Sequence, residues 1–240
     1  MSEWFADWFG ETYLKLYPHR DEQDARRALT LIARNVDLEG ARVLDLACGE
    51  GRHTVQFNDL GARTIGIDLS ATLVRRARSK TPNPPMVVRG DMRVLPFGEQ
   101  SFDIVVNLFT SFGYFSSDLE HQDVLKQVSA LLVPNGWFIL DFLNANEVKS
   151  GLVEQEEQEI EGAVVEIQRA LVQDGAYVEK RIHVVGKDSD HLERVRLFTP
   201  EDLRDMLRLA EMHVVKEFGD YEGASLTDRS PRTILFARKM

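Results

Sequence analysis

The chain has 240 residues, 43% hydrophobic and 28% charged, with a formal net charge of −10. That length and composition suit one well-buried α/β core and exclude a disordered chain or one that crosses a bilayer, which needs about 20 consecutive apolar residues. The acidic balance argues against DNA or RNA as partner, since phosphates select basic surfaces.

The opening residues, Met1 to Asp7, contain early acids, no basic segment and no small-residue cleavage site, so a cytoplasmic location is the expectation. From Trp4 to Ala33 the pattern is aromatic and then amphipathic, with helical periodicity from about Asp21. Its rings either pack onto a sheet or, through Tyr13, Tyr17 and His19, form a lid over a ligand, because aromatic side chains serve both purposes. Arg42 to Ala47 reads as a buried strand, followed by a helix from Gly51 to about Leu60. A second strand, Arg63 to Leu69, precedes Ser70, an N-cap for a helix from Ala71 to about Ser79. The proline cluster Thr81 to Pro85 is a linker, and a third strand runs from Met86 to Gly90, just before Asp91. Phe102 to Leu108 is a fourth strand, Asp118 to about Leu132 a helix that Pro134-Asn135-Gly136 stops, and Trp137 to Phe142 a fifth strand.

Beyond Asn144 the texture changes. Glu154 to Glu161 is rich in glutamate, and three runs alternate with period two: Val164 to Val172, Tyr177 to Val185 and His191 to Phe198. Asp174-Gly175 joins the first two as a tight turn, so this stretch is a small antiparallel sheet inserted after strand five. The acidic run is either a recognition surface for a cationic substrate or a solvated strand face, and the charge pattern favours the second. Thr199-Pro200-Glu201 opens a helix to about Ala210, and His213 to Phe218 and Thr233 to Arg238 complete the strands.

Strands that alternate with helices form a parallel sheet covered on both faces, and ligands of such sheets bind at the carboxyl ends of the strands. Three acidic residues, Asp45, Asp68 and Asp91, stand in or just after the first three strands and would share that rim. After Asp45 the chain turns through Gly49-Glu50-Gly51 into a helix, a turn in which glycine lets a ligand approach the backbone. A nicotinamide or flavin dinucleotide site would have a third glycine where Thr54 stands and needs only one acidic residue. The single cysteine, Cys48, is a packing residue or, less in keeping with its place beside Gly49, a nucleophile; no histidine pair has metal-ligand spacing, and no metal is expected.

Asp45-Leu46-Ala47-Cys48-Gly49-Glu50-Gly51 with Asp68 and Asp91 resembles the class I S-adenosylmethionine-dependent methyltransferases, Ala47 replacing the first glycine of their motif. The resemblance covers most of Arg42 to Phe142 and Thr199 to Arg238. It implies a doubly wound, mostly parallel seven-stranded α/β sheet whose last strand is antiparallel, plus the inserted antiparallel sheet. Within one domain it divides the chain into a helical lid over residues 1–40, a Rossmann-like core of 41–144 and 199–240, and a sheet of 145–198 over the active site. It implies S-adenosylmethionine as cofactor, held by Asp45, Ala47, Gly49 and Gly51 at the first turn, Asp68 and Leu69 at the ribose, Asp91 and Met92 at the adenine, and Asn107 near the methionine part, with Tyr13 close to the sulfonium. Tyr17, Phe112 and Phe115 are the expected acceptor contacts, and His19 and Tyr114 the candidates for a base. Strand four is followed by Leu108-Phe109-Thr110 rather than an Asn-Pro-Pro-Tyr type motif, which with the acidic charge points to a small-molecule acceptor methylated at N or O. A cofactor-binding protein without transfer activity and an NAD-dependent oxidoreductase are the alternatives.

Overall fold

The computed structural model describes residues 3–17, 22–79, 86–187 and 190–240; His19 and the proline cluster lie outside them. Two short helices, α1 (Trp4–Trp8) and α2 (Glu11–Leu16), precede α3 (Glu22–Ala33). The alternation then runs β1 (Arg42–Leu46), α4 (Arg52–Asp59), β2 (Arg63–Asp68), α5 (Ala71–Ser79), β3 (Met86–Arg89), β4 (Phe102–Asn107), α6 (Asp118–Leu131) and β5 (Leu132–Leu143). After α7 (Ala145–Ser150) come β6 (Gln155–Ile160), β7 (Ala163–Val172), β8 (Tyr177–Val184) and β9 (Asp190–Arg196), then α8 (Pro200–Leu209), β10 (Met212–Phe218) and β11 (Arg232–Lys239).

Seven strands form the main sheet in the order β10-β11-β5-β4-β1-β2-β3. The pairs from β5 through β3 are parallel, and β11 runs antiparallel to both β5 and β10. The strand order reverses between β4 and β1, so a crevice opens at their carboxyl ends. Side-chain alternation divides the core between the two faces. Leu44, Phe138, Leu140 and Leu235 meet Leu125 and Val128 of α6 and Leu203 of α8, while Val43, Ile139 and Phe236 meet Leu29 and Ile32 of α3 and Phe57 of α4.

Two expectations change. Pro134-Asn135-Gly136 is no gap between helix and strand: β5 begins at Leu132, and its register against β4 shifts between the Phe102 and Ile104 pairs. Proline is tolerated at such an irregularity because no ladder hydrogen bond is required there, and Asn135 takes the left-handed conformation (φ 61°) that asparagine accepts more readily than most residues. The glutamate run is itself a strand, β6, which makes the inserted sheet four-stranded in the order β6-β7-β8-β9. As an edge strand it has exposed residues on both faces, which removes the period-two signal.

The amino-terminal aromatics pack on this second sheet. Trp8 and Tyr13 are buried against Val165, Ile167, Ile182 and Val184. The indole Nε1 of Trp8 and the hydroxyl of Tyr17 both donate to Glu193 Oε1 at 2.8 Å, which fastens α1 and the end of α2 to β9 across the crevice.

Candidate functional site

At the end of β1 the backbone enters the left-handed region at Ala47, Gly49 and Gly51 (φ 60°, 57° and 73°) before α4 starts at Arg52. The loop lies so close to β2 that a Cβ at Gly66 would stand 2.6 Å from Cys48 Sγ and 3.0 Å from Thr54 Oγ1. Cys48 is therefore a packing residue beneath the loop, and burial pushes its thiol well above its ordinary value, away from nucleophilic use. Asp45 is buried under the turn and accepts from Thr54 Oγ1 at 2.6 Å; burial raises its carboxyl to about 6.

Asp68 ends β2. One carboxylate oxygen accepts from the Gly49 amide and the other from the Ser70 amide, each at 2.8 Å. This tie between adjacent strand ends fixes the carboxylate and leaves further acceptor capacity on each oxygen. Asp91 follows β3 and is clamped by Arg93, whose Nη2 lies 2.7 Å away and whose Nη1 reaches Glu3 (2.6 Å) and Glu120 (3.2 Å). Burial raises the Asp91 carboxyl, but the hydrogen bonds from Arg93 outweigh it and leave the group below its ordinary value.

Three cavities meet above these residues. One of about 100 Å³ is lined by Asp68, Leu69, Asp91, Met92 and Phe115 under the rings of Phe5, Phe9 and Tyr13. A second, about 240 Å³, lies over Asp45, Ala47, Gly49, Arg52 and His53. The third, about 680 Å³, lies between the main and inserted sheets and is lined by Glu193, Lys180, Arg169, Tyr221 and Arg232 among others. Tyr13, Ala47, Gly49 and Ser111 border both smaller cavities; Tyr114 borders the first and the largest, and Phe109 the second and the largest. The cleft thus runs from the acidic rim to the large cavity past Tyr114 and Phe109.

Of the residues expected from sequence, Tyr13, Asp45, Ala47, Gly49, Asp68, Leu69, Asp91, Met92, Tyr114 and Tyr17 line this cleft, and Gly51 turns the chain into α4. Four placements differ. Tyr17, expected at the acceptor, lines the 240 Å³ cavity over the glycine turn and not the large one, because its hydroxyl is drawn to Glu193. Phe112 is a core residue at 1% exposure, its ring against His121, Phe142 and Phe198, and it lines none of the three cavities. Phe115 lines the small cavity beside Asp91 and Met92 rather than the large one, because its ring turns inward onto Phe5 and His121. Asn107 is wholly buried beneath the loop, where its Nδ2 donates to the Leu46 carbonyl at 3.0 Å and ties β4 to β1. His19 cannot be placed, since it falls outside the described residues.

Sequence reasoning passed over the far wall. Asp141, near the end of β5, accepts from the Phe109 amide (2.9 Å), the Tyr221 hydroxyl (2.7 Å) and Arg232 Nε (2.7 Å). An acid inside the apolar run Trp137 to Phe142 was the available signal.

Residues 43–136 match the family model described as a methyltransferase domain. Two curated relatives are a dTDP-3-amino-3,6-dideoxy-alpha-D-glucopyranose N,N-dimethyltransferase of Streptomyces fradiae, 29% identical over 57% of this chain and 53% of the relative, and a dTDP-3-amino-3,4,6-trideoxy-alpha-D-glucopyranose N,N-dimethyltransferase of Streptomyces venezuelae, 27% identical over 70% and 72%. The chain thus spans about half the length of the first of these relatives. The fold is that of the CcbJ methyltransferase from Streptomyces caelestis, with a TM-score of 0.82 at 23% identity and 98% of each chain covered. It is also that of the amino pentose methyltransferase CalS10, solved with S-adenosylmethionine bound, from Micromonospora echinaspora, with a TM-score of 0.68 at 23% identity over 96% and 97%. The paired glycines above a tethered Asp68, the cavity beside Asp91 and Met92 and the domain match fit S-adenosylmethionine as the cofactor: residues 43–136 are similar to a methyltransferase domain, and the chain has the fold of the S-adenosylmethionine-dependent methyltransferases.

Proposed function

We propose that this chain transfers a methyl group from S-adenosylmethionine to an amino nitrogen of a small polar acceptor bound in the 680 Å³ cavity. The observation that carries this reading is the continuity of the cleft: Phe109 and Tyr114 border both the cofactor side and the large cavity, so two ligands would meet between them. The large cavity carries both signs of charge, Asp24, Glu156 and Glu193 beside Arg169, Lys180 and Arg232, which suits a polar acceptor that bears donors and acceptors of its own. The two relatives named above as amino-sugar N,N-dimethyltransferases support nitrogen over oxygen.

When bound, S-adenosylmethionine supplies a methyl group already activated by the sulfonium. The chain's task is then alignment and exclusion of water. In this reading Asp68, held by the Gly49 amide, takes the ribose hydroxyls through charge-assisted hydrogen bonds, and the backbone amides at the start of α4 face the methionine carboxylate. Leu69 and Met92 flank the adenine, and Asp91, held in place by Arg93, accepts from its amino group. Tyr13, at the border of the two smaller cavities, offers a ring face to the sulfonium. Tyr114 orients the acceptor nitrogen, which needs only to lose its proton and not to meet a strong base. Residues of α1, α2 and the inserted sheet close the cleft from above.

The test is calorimetry with S-adenosylhomocysteine and with NADH, followed by turnover on amino sugars, free and nucleotide-linked, against phenols. We expect S-adenosylhomocysteine to bind, NADH not to bind, and only amines to be methylated. The Asp68→Ala variant should bind S-adenosylhomocysteine at least tenfold more weakly. Binding of NADH alone would overturn the cofactor; methylation of phenols but no amine would overturn the acceptor class.

A further inference from the structure

Phe109 and Thr110, at the mouth of the large cavity, are consecutive residues with Cβ atoms in the left-handed region, at φ 58° and 61°. Such a conformation is unfavourable for phenylalanine and threonine, unlike glycine or asparagine, and persists only when surrounding contacts over-determine it. Here the contacts converge on one residue of β5. The Phe109 amide donates to Asp141 Oδ2 at 2.9 Å and the Thr110 amide to the Asp141 carbonyl at 3.0 Å. Tyr221 reinforces the carboxylate from the loop after β10, with its hydroxyl 2.7 Å from Oδ2 and its ring stacked on Phe109 at 5.8 Å and 24°. Arg232 of β11 completes the set: its Nε donates to Asp141 Oδ1 at 2.7 Å and its Nη2 to Thr110 Oγ1 at 3.1 Å.

We infer that Asp141, Tyr221 and Arg232 are positioning residues that hold the Phe109–Thr110 turn in its strained form, and thereby set the wall across which donor and acceptor are aligned. Phe109 borders both the methionine-side cavity and the acceptor cavity, and Thr110 borders the acceptor cavity, so a turn relaxed to an ordinary conformation changes the wall on both sides. Besides joining β11 to β5 through Arg232 and Asp141, the network reaches beyond the strands. It sends two backbone bonds and one side-chain bond into the turn. Asp141 balances the charge of Arg232, which faces a cavity meant, in the reading above, for an amine. The alignment part of the inference rests on that reading; the clamp itself does not.

The test therefore has two readouts. In amide hydrogen exchange on the ligand-free protein, Asp141→Asn and Tyr221→Phe should each speed exchange at Phe109 and Thr110, by tenfold or more for Asp141→Asn, while β4 and β1 amides keep wild-type rates. In turnover with an amine that the wild type methylates, both variants should lower kcat, Asp141→Asn by ten- to a hundredfold, with affinity for S-adenosylhomocysteine within about threefold of wild type. Replacing Thr110 by Asn, which tolerates the left-handed region, in the Asp141→Asn background should recover part of kcat. Unchanged exchange at the two amides in Tyr221→Phe, the milder variant that keeps the buried ion pair, together with unchanged kcat, overturns the clamp. Changed exchange with unchanged kcat overturns its role in alignment. A wild type that binds no S-adenosylhomocysteine overturns the proposed function and leaves the exchange result standing.

Discussion

Asp45 and His53 sit under the same turn, both buried, and their titrations pull stability in opposite directions. Burial raises the Asp45 carboxyl to about 6, so between roughly pH 4 and 6 the folded chain keeps a proton that the unfolded chain has released. Its favourable contribution is complete below about pH 4 and is lost as pH rises through 6, leaving an unfavourable buried charge of the order of 3 kcal/mol at neutral pH. Burial lowers His53 to about 3, so on acidification below about 6.5 the unfolded chain takes up a proton that the folded chain refuses, and stability falls. Asp45→Asn should therefore gain stability relative to wild type progressively from pH 4 to 6, and His53→Asn should gain relative to wild type as pH falls from about 6.5 toward 3. Urea unfolding of the three proteins across this range checks both signs; a constant Asp45→Asn difference would mean that the carboxyl titrates as it does in water.

Among the elements, α1 and α2 are the least self-sufficient, with five and six residues, too short to persist without tertiary contacts. They are held from both sides: Glu193 of β9 accepts from Trp8 and Tyr17, and Arg76 of α5 reaches Glu11 at 2.5 Å. Glu193→Leu should raise the dissociation rate of S-adenosylhomocysteine about tenfold, since hydrogen bonds to a charged group contribute roughly 1.5–3 kcal/mol. Stopped-flow displacement measures this, and an unchanged rate would show that α1 and α2 do not retain the ligand. The core was the readable part. β1 to β4 are apolar runs with punctuation at their ends, and Asp45, Asp68 and Asp91 mark the rim because each stands where a strand delivers it. What eluded sequence depends on pairs remote in the chain. Arg93 reaches Glu3, 90 residues away, and Asp141 meets Arg232, 91 residues away, and no local period records either. Phe112 and Phe115 look alike in the sequence, yet one turns into the core and the other toward Met92, a choice made by packing against α6 and α8.

At the scale of the whole molecule, the main sheet supplies the rim and the smaller sheet, built almost entirely from residues of one insertion, supplies the opposite wall of the cleft. No helix among the described residues is long and apolar enough to cross a membrane. The smaller sheet also presents β6 as an open edge, with Glu156, Glu157 and Glu159 on six residues. An unpaired edge is a template for another chain, and a row of like charges keeps two such edges apart. The glutamates that hid this strand from its sequence pattern thus govern the colloidal behaviour of the protein. Light scattering at neutral pH should find it monodisperse, whereas replacing the three glutamates with glutamine should let it self-associate; an unchanged size in that variant would show that these charges do not guard the edge.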